Sequence, residues 1–184
     1  FLPMFSSMMA TGPYSIDRLE FSAASYVTNT VPMGAYRGAG RPEATHGIER
    51  IIDYYAAEIG MDAIEIRRQN FIPEASFPFD APSGQVYDSG AYAAALDAVL
   101  ESLDVHDLRV EQERRRREKT TGTLLGIGFC AYVEITNPLK SEEFGKVTIR
   151  KDGSALVLTG SSAHGQGHHT TFAQVASDVL GIAF

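Results

Sequence analysis

A chain of 184 residues that is 44% hydrophobic can build one domain, or two small ones, around a real core. Its formal net charge of −7 speaks against nucleic acid as the main partner, and its single cysteine, Cys130, excludes an internal disulfide framework. No apolar run approaches the roughly 20 residues of a bilayer span and no basic-plus-apolar leader is present, so a soluble, cytoplasmic protein is expected.

The sequence starts without methionine and stops at an apparent helix end, "DVLGIAF", which reads as an internal piece of a longer polypeptide. Residues 1–12 are apolar and too short to assign. Alternation and β-branched residues predict a strand over residues 19–28, "LEFSAASYVT". A helix follows the glycine-rich stretch "GAYRGAGRPEA". Ile48, Ile51, Ile52, Tyr55 and Ile59 recur at helical spacing, Pro42 and Glu43 suit its first turn, and Gly60 is its stop. Asp62 caps a second helix that carries Ile64, Arg67, Arg68 and Phe71 and ends by Pro73.

Residues 72–90 form a long loop of the kind that serves function or drapes over a partner. A third helix starts at a Ser89 cap, and a fourth, very polar one runs over residues 105–119. "LLGIGFCAYVEIT" and "GKVTIRKDGSALVLTG" read as strands, the second folded at Asp152-Gly153 into a hairpin. The last stretch is a glycine loop leading into an amphipathic helix with Phe172, Val175, Val179 and Leu180 inward. The predicted fold class is α+β. Residues 1–120 form an arginine-loop and helical part, and residues 121–184 a hairpin, loop and helix.

Two stretches carry the chemistry. In "SSAHGQGHHTTF" a strand ends, Gly165 and Gly167 bracket Gln166, and a helix begins. Glycines let backbone N–H groups approach a ligand, and the helix start offers unpaired donors with partial positive charge. Such a loop suits an anionic or heterocyclic ligand; it is equally a tight strand-to-helix turn with no ligand. It is neither the Rossmann fingerprint nor the P-loop. His164 and His168 stand four apart, but no cysteine or zinc-protease glutamate accompanies them, so exposed or capping histidines are favoured over a zinc site and no metal ligand is assigned.

In "GAYRGAGRPEA", Arg37 offers a planar fork of donors between Tyr36 and Gly38. It either faces an anion or metal-oxo group, or pairs with a core carboxylate at a helix start. "RRRREK" lies among glutamates and reads as a solvated helix face. Cys130 reads as a core residue of an apolar strand, and Glu134 as an exposed residue of the same strand.

Together, "TNTVPMGAYRGAGRPEA", "AYVEIT" and "GSSAHGQGHHTTFAQVASDVLGI" resemble the large subunit of the molybdenum hydroxylases, the family of xanthine dehydrogenase, aldehyde oxidoreductase and aerobic carbon monoxide dehydrogenase. The resemblance runs through most of residues 13–183. It implies molybdenum on molybdopterin, as the cytosine dinucleotide form, with [2Fe–2S] clusters and FAD on partner subunits or domains in an oligomer of heterotrimers. It implies oxidation of a small molecule with water-derived oxygen. Arg37 takes the position of the loop arginine near the metal, a catalytic residue, with Ala35, Tyr36 and Gly38 beside it. Gly165, Gln166, Gly167 and His168 take the cofactor-contacting loop. Gly38 and Gly40 are expected to let the backbone pass close to the metal centre.

In the family's CO-oxidising members a cysteine follows the loop arginine and helps to hold copper; Gly38 stands there, which turns the expectation from CO towards aldehydes or N-heteroaromatics. The family's catalytic glutamate belongs to a region beyond this sequence, and neither Glu43 nor Glu134 lies in its motif. A non-catalytic scaffold or assembly domain of the same fold is the alternative reading. A stand-alone zinc hydrolase built on His164 and His168 is a third.

Overall fold

In the computed structural model, residues 2–118, 122–137 and 141–184 are described. The expected boundary at 120–121 lies outside them, as does Lys119 at the end of the fourth predicted helix. The chain forms two compact units, Phe1–Ile135 and Thr136–Phe184.

The first unit is built on helices α1 (Leu2–Met8), α2 (Arg41–Ile59) and α3 (Ala63–Asn70). Gly40, at φ 89°, precedes α2, with Pro42 in the first turn and Glu43 near the positive end of the helix dipole. Gly60 closes α2 in the left-handed region, where its N–H reaches the carbonyls of Ala56 and Ala57. Asp62 caps α3 by accepting from the N–H groups of Ile64 at 2.8 Å and Glu65 at 3.3 Å. Tyr14 and Phe71 pair across an isolated antiparallel bridge, their rings stacked at 5.6 Å. They join Met9, Ala56, Ile66 and Ile72 in the core.

The stretch after α3 is folded onto its own unit. A short 3₁₀ turn at Glu74–Ser76 leads to a two-residue hairpin, β1 (Phe79–Asp80) with β2 (Val86–Tyr87). Ala81 is buried and the Tyr87 hydroxyl donates to the Gly12 carbonyl at 3.1 Å. Helices α4 (Tyr92–Ser102) and α5 (Val105–Glu118) follow. Ser89 is not the cap of α4. Its hydroxyl turns to Asp88, and Ala91 precedes the helix with no side-chain cap. The start is set by packing: the Tyr92 ring meets Phe77 edge-on at 5.6 Å, and a Cβ on Gly90 would lie 2.7 Å from Phe77.

Two predicted strands are corrected. Residues 19–28 form no strand and are exposed beyond Leu19. Alternation makes a strand only where a second backbone offers pairing, and none does so among the described residues. Residues 124–135 also lack a strand partner, yet their burial alternates: odd positions from Leu125 to Ile135 are half-buried and even positions exposed. Side chains replace the ladder. Gln112 donates to the Leu125 carbonyl at 3.0 Å, Arg67 to that of Phe129 at 3.2 Å, and the Ala131 N–H donates to Glu49 at 3.1 Å. Cys130 falls on the even parity and is exposed, so it is not a core residue.

The second unit is a hairpin and a helix. Strands β3 (Gly145–Ile149) and β4 (Ala155–Thr159) pair antiparallel in the register Lys146↔Leu158 and Thr148↔Leu156. At the turn Gly153 has φ 84°, and Asp152 accepts from the N–H and hydroxyl of Ser154. Helix α6 (His168–Leu180) ends at left-handed Gly181. Phe172 is half-buried, but Val175, Val179 and Leu180 are exposed rather than inward. Two strands cover only part of the apolar face of α6, leaving a groove of about 550 Å³.

Candidate functional site

The Arg37 turn is a run of left-handed backbone. Gly38, Ala39 and Gly40 have φ of 96°, 32° and 89°, closed by Ala39 N–H to the Tyr36 carbonyl at 2.8 Å and Arg41 N–H to the Gly38 carbonyl at 3.1 Å. The two glycines do different things. A Cβ on Gly38 would touch only the Pro42 ring, at 3.0 Å. On Gly40 it would sit 2.6 Å from the Leu2 carbonyl and 2.7 Å from the Ser6 nitrogen. Gly40 therefore gives its bare backbone to α1, where the Ser6 hydroxyl also donates to its carbonyl at 3.0 Å, rather than to a ligand approach. Ala35, Tyr36 and Arg37 are exposed.

Arg41, not singled out by sequence, is the centre of this region. Its guanidinium donates to the carbonyls of Ala39 and Ile135, both at 3.3 Å, and lies 4.9 Å from the centre of the Phe5 ring. Its Nε forms an ion pair with Glu134 Oε1 at 2.7 Å. A helix-start arginine held by a carboxylate is thus present, and it is Arg41. Beside it runs a groove of about 580 Å³ whose walls include Arg37, Gly38, His46, Cys130 and Glu134. Cys130, distant from Gly38 in sequence, shares this groove. Burial pushes its thiol pKa up, as does the negative charge of Glu49 and Asp53, against the pull of Arg67.

Beneath the groove lies a network that the apolar stripe of α2 gave no hint of. Glu49 and Ala56 are the buried residues of that helix, while Ile51, Tyr55 and Ile59 are exposed. Glu49 faces Arg67 of α3 at 2.9 Å, and Asp53 faces it at 2.8 Å. Glu49 also accepts from the Tyr14 hydroxyl. Burial, followed by the neighbouring Glu49, drives the Tyr14 pKa far above its ordinary value. For Arg67 burial works against the charge, but Asp53 and Glu49 outweigh it and the pKa rises. The available signal was an acidic pair four apart on one helix, opposite an arginine on the next.

In the second unit, Gly165 and Gly167 both have positive φ, and Gly167 is the left-handed residue before α6. Among the described residues no side chain caps that helix, which leaves its first-turn amides to a ligand or solvent. Gln166 turns its carbonyl oxygen back to the His164 N–H. The His168 ring stacks on Phe172 at 4.8 Å, and its Nδ1 is shielded from solvent without a hydrogen-bond partner among the described residues. No three His, Cys, Asp or Glu gather as a metal-ion site among the described residues, and no described helix is long and apolar enough to cross a membrane.

Each unit thus carries a glycine-built loop that leads into a helix. Residues 1–71 and 98–184 match two families, each described as a molybdopterin cofactor-binding domain. The chain is 37% identical to the carbon monoxide dehydrogenase large chain of Hydrogenophaga pseudoflava over 95% of its length and 23% of that protein's. It is 35% identical to the nicotine 6-hydroxylase large subunit of Paenarthrobacter nicotinovorans, over 97% and 23%. The solved structure of quinoline 2-oxidoreductase from Pseudomonas putida 86 superposes with a TM-score of 0.72 and 26% identity, over 96% of this chain and 24% of that one. The chain belongs to the molybdopterin-binding large subunits of the molybdenum hydroxylase family. It spans about a quarter of the length of the relatives it matches.

Proposed function

We propose that the chain supplies part of the molybdopterin site in the catalytic subunit of a molybdenum-dependent oxidoreductase acting on an aldehyde or N-heteroaromatic compound. The observation that carries this reading is the uncapped start of α6, with the solvent-shielded, unpartnered His168 Nδ1 in its first turn. Such a site has open donors and an orphaned polar atom, and it fits an anionic, nitrogen-rich cofactor. The cofactor, in its cytosine dinucleotide form, supplies two-electron oxidation with oxygen taken from water, and its electrons pass to [2Fe–2S] and FAD groups on partner subunits. Residues 1–120 contribute the arginine loop and residues 121–184 the GQG loop.

The chain's own residues bind and orient. Gly165, Gln166, Gly167 and His168 hold polar edges of the cofactor through backbone N–H groups and the Gln166 amide. Arg37 provides a fixed positive charge for an oxyanion that develops during the reaction, with Ala35, Tyr36 and Gly38 shaping its approach. Glu134 pairs with Arg41, which assigns it to holding that arginine. Gly38 stands directly after the loop arginine and carries no thiol, which favours an organic substrate over CO.

The test is the molybdenum-to-protein ratio of the full-length subunit purified with its partner subunits, alongside Arg37→Ala and Gln166→Ala. A wild-type ratio near one, with severe loss of turnover or molybdenum in both variants, supports the reading. Unchanged variants overturn the residue assignments. A wild-type ratio near zero, in a host that loads other molybdenum enzymes, favours a scaffold domain instead.

A further inference from the structure

We propose that Arg41 is the positioning residue of the Arg37 turn and that Glu134 aims it. The inference rests on the reading of Arg37 as a group that faces the cofactor. Three separate pieces of chain meet at the Arg41 guanidinium. One is the turn itself, through the Ala39 carbonyl at 3.3 Å, two residues from Arg37. The second is the extended segment 124–135, through the Ile135 carbonyl at 3.3 Å and the Glu134 carboxylate at 2.7 Å. The third is α1, whose Phe5 ring lies under the cation at 4.9 Å.

The turn needs such a clamp. Residues 31–37 are exposed, and the turn proper is three consecutive residues at positive φ, one of them Ala39. A non-glycine residue there costs conformational energy and persists only where its surroundings hold it. Pro42 fixes the chain on the α2 side, and Gly40 seats the turn on α1. Arg41 ties the Ala39 carbonyl to the segment that forms the opposite wall of the Arg37 groove. Its side chain is 14% exposed, so little water competes for these contacts. A guanidinium spreads its donors over a rigid plane, so Nη1 and Nη2 reach two separate carbonyls while Nε lies beside the carboxylate. A lysine's three donors radiate from one nitrogen and cannot span that spacing.

The experiment uses the full-length subunit assembled with its partners, with and without cofactor, as Arg41→Ala, Arg41→Lys, Glu134→Gln and Arg37→Ala. Hydrogen exchange at the Ala39 and Arg41 amides is read in the cofactor-free enzyme. For loaded enzyme, kcat and KM are normalised to molybdenum content. Arg41→Ala is expected to speed exchange at both amides about tenfold. It is expected to lower kcat by roughly 10- to 100-fold, with KM within about threefold. Arg41→Lys falls between it and the wild type, and Glu134→Gln shows a smaller loss in the same direction. A change in exchange without one in kcat, or the reverse, overturns the positioning role, as does exchange that rises across the whole first unit. Should Arg41→Ala fail to assemble, Arg41→Lys carries the same comparison. If Arg37→Ala retains full turnover and molybdenum, the functional reading has failed, whereas the exchange measurement still decides whether Arg41 holds the turn.

Discussion

Arg67 Nε lies 2.9 Å from Glu49 Oε2, and both side chains are almost wholly withdrawn from water. Desolvating two charges offsets much of their attraction, so the pair is worth little compared with an apolar replacement of both. Removing one partner is a different matter. Arg67→Leu leaves Glu49 buried against a neutral side chain and also unties the Phe129 carbonyl. The expected cost is about 3–5 kcal/mol, read as a lower thermal midpoint of the full-length subunit. An unchanged midpoint would show that the network does not support the fold.

The glycines of the Arg37 turn separate in the same assay. Gly40→Ala forces a side chain onto the backbone of α1 at positive φ, and a loss of more than about 1–2 kcal/mol is expected, since the left-handed conformation alone costs that much. Gly38→Ala meets only the edge of a proline ring and should cost less. Equal losses, or the reverse order, contradict the account of Gly40 as a packing glycine.

Asp62 ties stability to pH. Burial pushes its carboxyl up, but the Ile64 N–H, the Arg109 guanidinium at 2.6 Å and the Glu65 N–H outweigh this and hold its pKa below the ordinary 3.8. A depressed carboxylate contributes stability above its unfolded value, about 3.9, and loses it as pH falls through the folded one. Asp62→Asn still caps α3 but cannot titrate. The stability gap between wild type and Asp62→Asn should therefore narrow below about pH 4. Thermal melts followed by circular dichroism from neutral to acid pH test this; curves that stay parallel rule it out.

Gln166 commits one half of its amide within its own loop. Its oxygen closes the loop on the His164 N–H, which leaves the NH₂ group uncommitted among the described residues. Gln166→Glu keeps the acceptor and removes the donors. The loop should retain its fold while turnover per molybdenum falls at least ~10-fold, in keeping with the loss of one aligned donor. Full turnover in this variant would confine Gln166 to loop closure.

Much of the fold was legible where the signal is local. The left-handed Gly60, the Asp62 cap and the Asp152-Gly153 turn act over three or four residues, and each was readable in sequence. Residues 19–28 were misread because their alternation has no pairing backbone to exploit. Cys130 was misplaced by one parity step: residues 129 and 131 face inward on a segment held by Arg67 and Glu49, and no local pattern reveals which parity those side chains select. The motifs drew attention to Arg37 in the first unit and Gln166 in the second. Arg41 escaped notice because its partner carbonyl at Ile135 is 94 residues away.

The Glu49–Arg67 network also joins partners at very different distances along the chain. Glu49 and Arg67 are 18 residues apart and can meet early in synthesis. The Phe129 carbonyl stands 62 residues beyond Arg67, and the Ala131 N–H 82 beyond Glu49. Without those groups Arg67 still reaches Glu49, Asp53 and the Ala63 carbonyl, and Glu49 still accepts from Tyr14, so the two helices can close with their polar atoms partnered. The segment that walls the Arg37 groove adds two backbone contacts, at Phe129 and Ala131, to a network that is already closed.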